Sequence, residues 1–97
     1  MRDGILIYGS YGYTGELVVQ RALEQGLRPV LAGRDSRRLI EQAQPRGLEH
    51  RSFDLDNPDA VDRGLDGISV ALNCAGPFSR TAAPMVGGCL RRRVHYL

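Results

Sequence analysis

The sequence predicts a three-layer α/β fold: a parallel sheet of about five strands, in the order 3-2-1-4-5, between layers of helix. Three observations predict it. Short apolar runs alternate with longer amphipathic stretches along all 97 residues. Runs such as "GILIY" (4–8) and "PVLA" (29–32) lack polar alternation, as strands buried on both faces do. A loop with three glycines, Gly9, Gly12 and Gly15, joins the first such run to the first helical stripe.

Each element has its own signal. Gly4–Tyr8 is the first strand. Thr14–Gln25 carries Leu17, Val18, Ala22 and Leu23 at helical spacing, with Gly26 placed as its C-terminal cap and Pro29 beyond. Pro29–Ala32 is the second strand. Ser36 is placed to cap a helix over Arg37–Gln44, which Pro45 and Gly47 end. Leu48–Phe53 is a weaker third strand. Asn57-Pro58 opens a third helix, with Asn as N-cap and Pro at the first helical position, and Gly64 and Gly67 mark its end. Ile68–Asn73 is the fourth strand, and Gly76-Pro77 breaks the chain. Ala82–Arg92 reads as a fourth helix with Met85, Val86, Cys89 and Leu90 on its apolar side. Arg91 to Arg93 stand at its C-terminal end, where positive charge suits the helix dipole. "VHYL" starts a fifth strand. Helices between successive strands imply right-handed crossovers and a parallel sheet.

Composition sets limits. The hydrophobic fraction of 42% and charged fraction of 25% are those of an ordinary globular domain. No run approaches the ~20 apolar residues of a membrane span. The first residues read as a strand and not as a signal peptide, so a cytoplasmic setting is expected. A net charge of +2 gives no argument for nucleic acid. All 13 basic residues are Arg, so no Lys is available as Schiff base, general base or phosphate ligand. Cys74 and Cys89 fit neither a zinc pattern nor a CxxC motif and read as buried free thiols. No metal site is expected.

The glycine loop has the context of a dinucleotide site: it leaves a buried strand, opens a helix, and a second strand follows about 20 residues later. The fold is thus Rossmann-like. Gly9 allows the tight turn out of the strand, Gly12 lets the backbone approach a diphosphate, and Gly15 lets the helix pack close to the strand. Amides near Ser10, Tyr13 and Thr14 would face the anion. Tyr11 and Tyr13 either cover the cofactor or pack beside it. The bland alternative is a structural turn with no ligand.

The second strand decides the nucleotide. An NAD site usually places Asp or Glu there for the ribose 2′-hydroxyl. This chain has "AGRDSRR": Gly33, then Arg34, whose guanidinium can clamp a 2′-phosphate and stack on adenine. Ser36 and Arg37 or Arg38 could add contacts, while at least one of these arginines belongs to a solvated helix face. NADP is expected; Asp35 keeps the NAD reading open. Asp54 and Leu55, at the end of the third strand, fall where such folds often meet the adenine, with helix entry as the acid's alternative role. Asn73, Cys74, Ala75 and Gly76 would run along the ribose and diphosphate. Pro77-Phe78 would turn the chain and could wall the nicotinamide side.

Together, "GSYGYTGELV", "LAGRD", "NCAGPFSRTAAPMVGGCL" and "HYL" resemble the N-terminal NADP-binding domain of the saccharopine dehydrogenase-like family. The resemblance runs from about Ile5 to Leu97. It implies NADP(H) binding in an oxidoreductase whose hydride transfer needs a second, substrate-binding domain that this chain lacks. Residues 1–97 are therefore expected to be one Rossmann domain cut from a longer two-domain protein, with no small-molecule substrate and no turnover of its own. A natural mini-domain is the alternative. A fifth strand without a covering helix would leave an apolar face open, a route to dimerisation. No catalytic residue is assigned; His95 and Tyr96 either line the crevice or are edge-strand residues. The competing functions are a non-catalytic nucleotide-sensing module and a structural domain that has lost its ligand.

Overall fold

The computed structural model describes residues 4–76 and 78–97, the side chains of 78–80 excepted. The chain runs β1 (Ile5–Tyr8), α1 (Tyr13–Glu24), β2 (Val30–Gly33), α2 (Ser36–Ala43), a 3-10 turn (Gln44–Arg46), β3 (His50–Ser52), α3 (Pro58–Gly64), β4 (Val70–Asn73), α4 (Phe78–Arg92) and β5 (His95–Tyr96). All strand pairs are parallel and their order is β3-β2-β1-β4-β5, as the sequence predicts.

The register follows from burial on both faces. In β1, Leu6 and Tyr8 enter one apolar cluster, with Phe53, Val61, Leu65, Met85 and Cys89. Ile7 enters the other, with Val19, Leu31, Leu39 and Ala43. Helices α1 and α2 therefore cover one face, and α3 and α4 the other. Ile7 aligns with Leu31 on β2 and with Leu72 on β4, so the central strands are apolar on both sides. Strand β3 is shorter than Leu48–Phe53: it lies at the sheet edge, where one side has no partner to extend the pairing.

The caps explain most boundaries. Beyond α1, Gly26 takes φ +79°, its N–H donates to Leu23 O (3.0 Å) and Leu27 N–H donates to Ala22 O (2.9 Å). This paired closure needs a left-handed residue, hence the glycine. Asn57 Oδ1 accepts from Ala60 N–H (3.2 Å), with Pro58 at the first helical position. Helix α2 differs from expectation. Its cap is Asp35, whose Oδ1 accepts from Arg38 N–H (3.1 Å), and Ser36 is already helical. The extended backbone at Asp35 brings its short carboxylate within reach of that amide. Helix α4 begins at Phe78 and not at Ala82; Thr81 Oγ1 donates to Ala75 O (3.0 Å) and ties its first turns to the loop after β4. Among the described residues no helix is long and apolar enough to cross a membrane.

Candidate functional site: a crevice at the carboxyl ends of β1 and β4

Strand β1 pairs with β2 on one side and β4 on the other, so chain order reverses at β1/β4. A ligand crevice is expected beyond the carboxyl ends of such strands. An open crevice of about 1280 Å³ lies there. Tyr8, Tyr11, Gly12, Arg34, Asp35, Arg37, Arg38, Asp54, Leu55, Cys74, Ala75, Gly76 and Thr81 are among its walls.

The three loop glycines do different work. Gly9 has φ +79°, and a Cβ there would lie 2.6 Å from Ala75 N and 2.7 Å from Ala75 Cα. It sits between two loops with no room for a side chain. A Cβ on Gly15 would collide with the Gly9 carbonyl and approach Ser10 Cα at 2.7 Å. The helix is thus packed against the loop's own backbone, where the sequence suggested the strand. Gly12 is unlike both. A Cβ there would meet only Gly9 O, at an ordinary 3.5 Å. Protein packing does not demand this glycine; the space in front of it is the crevice. Gly12 is also the N-cap of α1, and no side chain caps that helix. Its first-turn amides are left to an acceptor from outside.

The other loop residues divide sharply. Ser10 is fully buried; its hydroxyl donates to Gln42 Oε1 (2.7 Å), and Gln42 Nε2 donates back to Ser10 O (2.7 Å). Gln42 Nε2 also donates to Glu16 Oε1 (2.9 Å), and Arg46 pairs with Glu16 Oε2 (2.6 Å). This network braces the loop from behind against α2. Burial pushes the Glu16 carboxyl up, but donation from Gln42 and Gln20 and the Arg46 charge outweigh it and hold it below its ordinary value. Tyr13 is 85% exposed and faces solvent, and Thr14 is exposed beside it. Tyr11 lies across Gly33, where a Cβ would stand 2.6 Å from the ring.

At the rim beyond β2, Arg34 makes no ion pair among the described residues, and its carbonyl accepts from Ser52 Oγ (3.1 Å). Arg37 leans to Glu41 (3.5 Å) along the exposed helix face. Beyond β3, Asp54 Oδ1 accepts from Asp56 N–H (3.0 Å) while Leu55 is buried. Tyr8 OH donates to Phe53 O (2.9 Å); burial, with the Asp54 charge second, pushes that phenol well above its ordinary value, so it stays a donor. Beyond β4, Asn73 Oδ1 accepts from Ala75 N–H (3.1 Å), and its amide donates to Thr81 Oγ1 (2.9 Å) and Tyr96 OH (3.2 Å). Asn73 thus ties β4, β5 and α4 together under the crevice floor. Cys74 is half-buried and Cys89 buried, both free, and burial pushes both thiols up.

Of the sequence-derived site residues, the crevice walls contain Tyr11, Gly12, Arg34, Asp35, Asp54, Cys74, Ala75 and Gly76. Gly9, Ser10, Gly15, Gly33 and Asn73 lie behind them as support. Leu55 stands there beside Asp54, as the sequence suggested, while Tyr8, Asp56 and Thr81 join the walls without having been singled out. Tyr8 had a readable signal, as the last residue of the strand that feeds the loop; Thr81 had none. Pro77 and the Phe78 side chain lie outside the described residues. No cluster that could hold a metal exists among the described residues.

A parallel 3-2-1-4-5 sheet, a glycine turn after β1 and an uncapped helix start on a crevice define a dinucleotide-binding domain of Rossmann type. The chain belongs to the saccharopine dehydrogenase NADP binding domain family, which it matches over residues 5–97. It is 29% identical to a saccharopine dehydrogenase-like oxidoreductase of Arabidopsis thaliana, over 96% of this chain and 24% of that protein. It is 28% identical to the trans-acting enoyl reductase of Mycobacterium leprae, over 95% of this chain and 24% of the relative. The chain therefore spans about a quarter of the length of the curated relatives it matches. Apo saccharopine dehydrogenase (L-Glu forming) from Saccharomyces cerevisiae shares the fold with a TM-score of 0.84 at 21% identity, over 98% of this chain and 21% of that one. Triphenylmethane reductase of Citrobacter sp., solved with NADP(H), superposes with a TM-score of 0.79 at 20% identity, over 94% of this chain and 34% of that one. NADP is the cofactor of the family, and the crevice fits it: an open glycine cradle before the first-turn amides of α1 at one end, and at the other an arginine with no ion pair among the described residues.

Proposed function

We propose that this domain holds NADPH across the β1/β4 crevice and presents it, in the full-length protein, to a small-molecule substrate carried by a further domain. Gly12 and the backbone of Tyr11, Tyr13 and Thr14 at the start of α1 hold the diphosphate, with Gly9, Ser10 and Gly15 shaping the loop behind them. Arg34 clamps the 2′-phosphate, with Gly33 and Asp35 shaping the turn that carries it. Asp54 and Leu55 flank the adenine. Asn73, Cys74, Ala75 and Gly76 line the path toward the nicotinamide. Bound NADPH supplies a hydride; this chain's own residues bind, orient and exclude water.

The observation that carries the reading is Arg34, on the crevice wall after β2 and free of any ion pair among the described residues. A charge-assisted hydrogen bond contributes about 1.5–3 kcal/mol, or roughly 10- to 150-fold in affinity. In fluorescence titrations NADPH is expected to bind more tightly than NADH. Arg34→Ala should weaken NADPH by at least about tenfold and NADH by less than about twofold. Equal affinities for the parent chain, or binding of neither, would overturn the assignment. The isolated chain should not oxidise NADPH. A full-length protein that binds NADPH yet transfers no hydride to any carbonyl, imine or enoyl acceptor would favour a nucleotide-sensing module.

A further inference from the structure

We propose that Tyr11 is a positioning residue for cofactor choice: its ring is the platform that holds Arg38, and not Arg37, beside Arg34 as the second arm of a two-arginine clamp. The proposal rests on the reading of Arg34 given above.

Three contacts place the tyrosine. Its ring lies against Gly33, the one residue type that leaves room for it: a Cβ at 33 would stand 2.6 Å from Cε2 and 2.9 Å from the hydroxyl oxygen. That hydroxyl accepts from the backbone N–H of Asp35 (3.1 Å). The Arg38 guanidinium sits over the ring, with Cζ 4.6 Å from its centre. A residue of the glycine loop therefore reaches across to the turn after β2 and fixes it at two points.

The consequence for the arginines follows from what each is doing. Arg37 also borders the crevice, but its side chain is 88% exposed, leans along the helix to Glu41 and has no ring beneath it among the described residues. Arg38 makes no ion pair among the described residues. The attraction of its charge to the ring face restricts a long side chain without using its N–H donors. Those donors stay available, and Tyr11, Arg34 and Arg38 all line the same crevice. The Asp35 carboxylate accepts from Arg38 N–H, so the acid is occupied as a helix cap. An arginine held beside the crevice in this way loses less freedom on meeting a phosphate than a free one.

The test uses NADPH, NADH and adenosine 2′,5′-bisphosphate, titrated against the parent chain, Tyr11→Phe, Tyr11→Ala, Arg38→Ala and Tyr11→Ala/Arg38→Ala. Tyr11→Phe keeps the ring and drops only the hydroxyl, and should stay within about threefold of the parent for NADPH. Tyr11→Ala should weaken NADPH and the bisphosphate by about tenfold and NADH by less than about twofold. Arg38→Ala should do the same, and the double variant should be no worse than Arg38→Ala, because the ring acts only through that arginine. Equal losses for NADPH and NADH in Tyr11→Ala would mark a merely structural role and overturn the proposal. So would an unchanged preference in Arg38→Ala, additive losses in the double variant, or a Tyr11→Phe loss as large as that of Tyr11→Ala. A parent chain with no preference for NADPH would instead sink the Arg34 reading. Circular dichroism melting of each variant without ligand identifies one that has failed to fold; Tyr11→Phe and Arg38→Ala then carry the test.

Discussion

Replacing Gly9 and Gly12 by alanine should give opposite results, although the two glycines stand three residues apart in one loop. At Gly9 the added methyl would lie 2.6–2.8 Å from the backbone and Cβ of Ala75, and φ is +79°. Left-handed backbone costs an ordinary residue roughly 1–2 kcal/mol. Forcing a methyl into a filled space costs about 1–3 kcal/mol more. The sum, about 2–5 kcal/mol, is a large part of the ~5–15 kcal/mol that holds a typical domain. At roughly 4–8 °C per kcal/mol for a chain of this size, Gly9→Ala should melt at least ~8 °C lower or fail to fold. At Gly12, φ is −73° and the methyl would meet only Gly9 O at 3.5 Å. Alanine is a poorer N-cap, but it also narrows the unfolded ensemble, so the two effects leave stability within about 1 kcal/mol. The methyl then stands in the space a diphosphate needs, and NADPH affinity should fall at least about tenfold. Thermal melting and NADPH titration of both variants test the pair. If Gly9→Ala melts with the parent, or Gly12→Ala binds NADPH as the parent does, the division between a structural and a ligand glycine is wrong.

Other outcomes follow from the same geometry. The Glu16 carboxyl, of ordinary value 4.5, is held lower in the folded chain, so its contribution is fully present above about pH 4.5 and is lost as pH falls through the lower folded value. The gap in urea midpoint between the parent and Glu16→Gln should therefore be larger at pH 7 than at pH 3; a gap that grows toward acid would contradict the Glu16 network. Tyr8→Phe removes the donor to Phe53 O and should cost about 1–3 kcal/mol in urea unfolding, with an unchanged midpoint as the refuting result. Cys74, half-buried in the crevice wall with a raised thiol, should be alkylated by iodoacetamide at pH 7.5 more slowly than a free thiol, and more slowly still with NADPH present; labelling unaffected by NADPH would place the cofactor elsewhere.

The sheet was legible because its signals are local. Apolar runs of 4 residues or so, glycines at fixed offsets and Asn57-Pro58 each announce an element without reference to distant sequence. The expectation of NADP rested on Arg34, since that residue follows directly on β2. What the sequence hid depends on contacts between distant residues. Helical spacing does not reveal that Gln42 is buried against Ser10, 32 residues away. Arg37 and Arg38 look alike until Tyr11 is seen beneath one of them. Thr81 and Tyr96 meet at Asn73 only because β4, β5 and α4 converge there. The choice of Asp35 over Ser36 as cap is a matter of one backbone angle, which residue preferences, similar for Asp and Ser, do not resolve.

The bond network from Ser10 through Gln42 to Glu16 and Arg46 lies wholly on the side of the glycine loop away from the crevice. Its effect is a separation of inheritance. On the reading proposed above, the loop's shape is guarded by side chains that stand clear of the nucleotide, and its selectivity is written in residues at the rim that take no part in that network. Arginines 34 and 38 would then be free to drift toward another cofactor, by single substitutions, while the cradle behind them stays as it is.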